Sequence, residues 1–105
     1  QQFNNPDWKA SAYYRNGNYE AAAKTLENSK SENAYYNKAN ALARQGKYED
    51  AIKAYDKALK LNENNEDAKY NREQVKQALD KQKQQDQQKN KDQKSDNKES
   101  EENKQ

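Results

Sequence analysis

The chain has 105 residues, enough for one small domain, with 20 Lys and Arg against 18 Asp and Glu. That near balance argues against the broad basic field of a nucleic-acid binder, and the absence of Cys and His excludes a disulfide framework, thiolate nucleophiles, imidazole bases and the usual zinc sites. The sequence has no run of about 18 apolar residues and no signal-like opening, so this stretch is expected neither to enter a membrane nor to direct its own export. It opens on Gln-Gln and lacks Met, as a piece excised from a longer chain would.

Helix punctuation divides the chain into five segments. Asn5-Pro6-Asp7 combines a capping residue, a proline at the first helical position and an acid in the first turn, and Gly17 closes the helix that follows. A second helix is expected from about Asn18 to Asn28. Ser31 precedes a third, ENAYYNKANALARQ, which Gly46 terminates; a fourth, KYEDAIKAYDKALKL, ends before the Asn-rich NENN. Asn65 can cap a fifth, EDAKYNREQVKQALDKQ. Nowhere does the period-two alternation of a strand appear, so the fold class is all-α.

The apolar residues all lie at or before Leu79, and alanine supplies fourteen of them, so the core must be built from closely spaced helices. Residues 81–105 hold seven Lys and six acids among Gln, Asn and Ser and no apolar side chain. Such a segment cannot offset the entropy of ordering by burial, and it is expected to be a disordered tail.

The chain repeats itself. AYYNKANA at 34–41 and AKYNREQV at 68–75 share Ala-x-Tyr-Asn-(Lys/Arg) at an interval of 34 residues, and RNGNYEAAAKTL aligns with RQGKYEDAIKAY around the two glycines. Since Gly17 and Gly46 are only 29 apart, the first unit is expected to be about five residues shorter, lost from its second helix and the loop behind it. The period and its internal pattern resemble the tetratricopeptide repeat (TPR): over Glu32 to Asn65, Tyr35, Ala39, Leu42, Gly46, Tyr48, Ala51, Tyr55 and Ala58 fall at its consensus places. The resemblance implies antiparallel helix pairs over residues 3–80, with a shortened repeat at 3–30, a full repeat at 32–65 and a capping helix at 66–80. Small Ala39, Ala51 and Ala58 would sit where helices cross, and Tyr35, Leu42, Ile52, Tyr55 and Leu59 would fill the space between.

In TPR proteins the first helices of successive repeats line a concave groove. The groove places read Tyr36, Asn40, Ala43 and Arg44 in the full repeat, Ser11, Tyr14 and Arg15 in the first unit, and Tyr70 and Gln74 in the capping helix. Tyr, Asn, Gln and Arg supply rigid aromatic area and hydrogen-bond donors, which suits a partner protein or peptide. Plainer roles stand beside this one: Asn37 and Asn71 belong to the generic consensus and would hydrogen-bond neighbouring backbone, and Arg44 would meet the macrodipole of its own helix. The Lys places of a TPR carboxylate clamp are occupied here by Asp7 and Tyr36, so chaperone-tail binding is not expected although Asn40 and Asn71 match. Glu49-Asp50 and Glu66-Asp67 stand in helix first turns, where acids favour the dipole, so no catalytic residues, metal site or cofactor are expected.

The order of segments from PDWKASAYYRNGNYEAAA through EDAKYNREQV to the Gln/Lys-rich tail resembles the C-terminal region of Bat-type aerotolerance proteins. That resemblance implies a bacterial inner-membrane-anchored protein with a preceding von Willebrand factor A domain. It further implies a position on the periplasmic face, and von Willebrand factor A domain proteins and a MoxR-type AAA+ ATPase as partners. The function expected is a non-enzymatic interaction scaffold. Self-association through the exposed ends of a short array is the alternative, and nucleic-acid binding through the tail is a third reading that the tail's acids and lack of aromatics oppose.

Overall fold

The computed structural model describes residues 6–103, with side chains to Lys91; Asn5, the expected first cap, lies outside the described residues. Five helices follow one another: α1 (Pro6–Arg15), α2 (Tyr19–Thr25), α3 (Glu32–Arg44), α4 (Tyr48–Leu61) and α5 (Glu66–Asn103), with no strand among the described residues. Each helix start obeys the local chemistry of its sequence. The side-chain oxygens of Asn18, Ser31 and Asn65 accept from the amides of Ala21, Ala34 and Ala68, satisfying donors that a first turn leaves open.

The two glycines close α1 and α3 in the same way. Gly17 and Gly46 adopt φ of 80° and 78°, the left-handed region where a side chain is strained. Around Gly46 the amide of Lys47 reaches back to the Leu42 carbonyl and that of Gly46 to Ala43; around Gly17 the amides of Asn18 and Gly17 reach Tyr13 and Tyr14. This paired bonding reverses the chain and lays the next helix back along the one before.

The helices pack as α1 with α2, α3 with α4, and α5 against α4, while α3 also touches both α1 and α5. Alanine makes these approaches close: Ala34, Ala39, Ala41, Ala51, Ala58 and Ala68 are wholly buried. The larger core side chains are Tyr55 in the second unit and Leu26 in the first, with Val75 of α5 closing the far side. Tyr35 and Tyr36 flank the Ala39 line and divide their work unexpectedly. Tyr36 packs against the Ala39, Ala51 and Tyr55 cluster, whereas half-buried Tyr35 lies at the outer seam with the Lys57 ammonium 5.6 Å from its ring centre.

The first unit is short because of its second helix alone. α2 has 7 residues against 14 in α4, and the loop behind α2 is the longer of the two. In the full repeat that loop is held by side chains: the Glu32 carboxylate accepts from Asn62 at 3.0 Å and Asn65 at 2.8 Å, clasping the start of α3 to the turn before α5.

The capping helix expected over 66–80 continues in the structure to Asn103. Every residue from Asp80 to Lys91 is exposed, and a 3.9 Å contact between Lys83 and Glu49 joins that stretch to the repeats. From Asp80 to Lys91 the helix buries no side chain, so backbone bonding and helix propensity carry it there. Truncation after Asp80 is therefore expected to shift the melting temperature by no more than about 4–8 °C, the span of roughly 1 kcal/mol in a domain this size. A larger loss in a thermal melt would show that the segment docks. The described residues measure 73 × 28 × 20 Å.

Candidate functional site

Ser11, Tyr14 and Arg15 recur along α1 at spacings that place them on one face, and Asn37 and Asn40 do the same on α3. These two faces meet across an open cleft of about 340 Å³. Its floor is small and apolar: Ala10 of α1 and Ala22 of α2, each 2% exposed. The cleft exists because those floor residues are alanines, which let the backbones approach while leaving room above them.

The corresponding seam between α3 and α5 is filled. Tyr55, 1% exposed, reaches through from α4 and donates its hydroxyl to Asn40 Oδ1. Asn71 of α5 donates from Nδ2 to the same Asn40 oxygen and to the Tyr36 hydroxyl, both at 3.1 Å. The Tyr36 and Tyr55 rings stand 6.2 Å apart at 58°. Burial first, and then the neighbouring Tyr36 and Tyr14, push the Tyr55 phenol well above its ordinary range, so it stays a neutral donor at physiological pH. Asn71 thus bonds side chains across the seam, where neighbouring backbone was expected to be its partner.

A second aromatic group closes one end of the cleft. Tyr14 meets Tyr19 edge-on, with centroids 5.0 Å apart, and Arg44 donates to the Tyr19 hydroxyl at 3.1 Å while its guanidinium lies 5.2 Å from the Tyr19 ring centre. That hydrogen bond leads the causes that raise the Arg44 pKa further. Arg44 is therefore tied to α2.

Of the sequence-derived groove residues, Ser11, Tyr14, Arg15 and Asn40 come together in the cleft. Tyr36 stands in the filled seam and Arg44 against Tyr19. Tyr70, 66% exposed, and Gln74 lie on the outer surface of α5, apart from the cleft. Sequence reasoning gave no groove role to Ala10 and Ala22, whose signal was their smallness beside a shortened helix, or to Tyr19, whose meeting with Arg44 spans 25 residues of chain. Among the described residues no cluster of His, Cys, Asp or Glu could hold a metal ion, and no helix is long and apolar enough to cross a membrane.

Stacked helix pairs, glycine-closed first helices and a cleft between first helices define a TPR-like fold. Residues 32–65 match the family model described as tetratricopeptide repeat. Among solved structures the chain is similar to the first TPR of Spaghetti (RPAP3) bound to the HSP90 peptide SRMEEVD. The identity is 30%, the TM-score 0.68, and the match covers 70% of this chain. The chain spans 63% of that chain's length. No curated protein matches the sequence.

Proposed function

We propose that the chain is a non-enzymatic scaffold that receives a segment of a partner protein in the cleft between α1 and α3. The observation that supports this reading most is the convergence of Ser11, Tyr14, Arg15, Asn37 and Asn40 over an alanine floor. Hydrogen-bonding groups around an open apolar floor suit a peptide, which offers both a side chain and backbone polar atoms. The solved TPR of similar fold holds a peptide, SRMEEVD, which adds support.

Backbone chemical-shift mapping with a panel of short peptides, SRMEEVD among them, tests the site. Shifts are expected at Ser11, Tyr14, Arg15, Asn37 and Asn40. If they cluster instead on Glu49, Lys53 and Lys60 of α4, the binding surface is the opposite one and the cleft reading fails.

The wider setting we propose is a membrane-anchored Bat-type protein, with von Willebrand factor A domain proteins and a MoxR-type AAA+ ATPase as partners. Its support is the order of segments along residues 3–80. The full-length gene product decides the matter: an upstream von Willebrand factor A domain with membrane helices is expected, and their absence would sink this wider reading while leaving the cleft untouched.

A further inference from the structure

Charge is unevenly placed around the cleft. Among the described residues lining it, Arg15 is the charged one, and no carboxylate stands with it there. The next cation along that end, Arg44, is engaged with Tyr19. Two of the groove amides also look inward: Asn71 spends its Nδ2 on Tyr36 and Asn40, and the Asn40 oxygen is shared by Asn71 and Tyr55. What remains to meet a ligand is one guanidinium, the Ser11 hydroxyl, the Asn37 side chain and the Asn40 amide nitrogen, above the methyl groups of Ala10 and Ala22.

A ligand complementary to this set carries one carboxylate next to one bulky apolar side chain. The apolar group fills the alanine-floored space, where burial of its surface is the main gain. Ser11, Asn37 and Asn40 meet the backbone polar groups that flank it, and the carboxylate meets Arg15. A chain terminus that presents both its main-chain carboxylate and an acidic side chain would bring two carboxylates to the one guanidinium among the described lining residues, so an internal acid already satisfies the site.

On the reading of the cleft as a peptide site, we infer that it selects an internal segment pairing a large apolar residue with an adjacent acidic one, independently of the partner's free C-terminus. The Arg15 contribution is modest, because Arg15 is exposed and stands in the last turn of α1, whose carbonyls already attract it. Selectivity then rests chiefly on the apolar side chain, with the acid setting direction along the groove.

The test uses end-blocked hexapeptides of glycine and serine carrying one leucine followed by one glutamate, titrated against the 105-residue chain by NMR. The parent peptide is expected to shift Ser11, Asn37 and Asn40. Glutamine in place of the glutamate should weaken it about three- to fivefold, the range of an exposed ion pair. Serine in place of the leucine should abolish binding. Unblocking the C-terminus should change the affinity by less than about twofold, because the Arg15 site is already matched by the side-chain acid.

Arg15→Gln should remove the preference for glutamate over glutamine, with an unchanged thermal melt showing that the exposed substitution leaves the fold intact. Binding in the cleft with no glutamate preference, or binding that needs the free terminus, overturns this inference and leaves the cleft as a peptide site. Absence of cleft shifts with every peptide overturns both.

Discussion

Tyr55→Ala is expected to lower the unfolding free energy by about 3–5 kcal/mol, the range for truncating large buried aromatic side chains. The ring is 1% exposed and stands among Ala39, Ala51 and Ala54, whose methyl groups cannot extend into the space it vacates. Removal also withdraws a donor from Asn40 and leaves Tyr36 without its ring neighbour. Urea unfolding followed by circular dichroism measures the loss, and a change below about 1 kcal/mol would show that the second unit is not organised around this residue.

Tyr55→Phe separates the hydroxyl from the ring and is expected to cost about 0.5–1.5 kcal/mol, a single net hydrogen bond. It also isolates a pH effect. The Tyr55 phenol is raised in the folded state above its ordinary value of 10.0, chiefly by burial, so the contribution is complete below that value. As pH rises past it the unfolded chain releases the proton first, stability falls, and the fall continues until the folded pKa is passed. Melting temperatures from pH 8 to 11 should therefore decline less in Tyr55→Phe than in the parent.

Leu26→Ala is expected to cost about 2–5 kcal/mol, toward the upper end. Leu26 is 1% exposed and clusters with Ala10 and Ala34, as the largest side chain of that cluster among the described residues, where α1, the end of α2 and the start of α3 meet. The methyl groups of Ala10 and Ala34 cannot extend into the void. The damage should be local: hydrogen exchange is expected to speed throughout α1 and α2 while the α3 and α4 amides, which belong to the Tyr55 cluster, keep most of their protection. Uniform loss across all helices would instead mark the chain as one cooperative unit.

Most of the helix boundaries were legible because each is written in short-range chemistry. Ser31, Asn65 and the two glycines announce starts and stops within four residues of where they act. The alanines that bring helices together were legible from the repeat period. What escaped the sequence is longer in range. Tyr35 and Tyr36 are one step apart and both border Ala39, so periodicity alone could not tell that Tyr36 would face a filled seam and Tyr35 a Lys57 contact. The filled seam itself depends on Tyr55, Asn40 and Asn71 meeting from three helices. Tyr70 and Gln74 align with groove residues, yet among the described residues no further helix pair stands beside α5 to complete a cleft around them. The lack of anything to bury past Leu79 was legible directly from composition, and the Gln, Lys and Glu of that segment, being good helix formers, still retain a local preference for helix.

The long axis set by α5 also governs how the molecule moves through a solution. The radius of gyration of the described residues is 19.2 Å, against about 13 Å for a compact chain of this length, and the projecting C-terminal helix adds drag out of proportion to its mass. A single copy will thus elute from a sizing column ahead of compact standards of the same mass, in the range where a globular dimer would run. Calibrated elution would then report self-association where there is none. Molar mass from light scattering or sedimentation equilibrium, insensitive to drag, is the measurement that separates one copy from two.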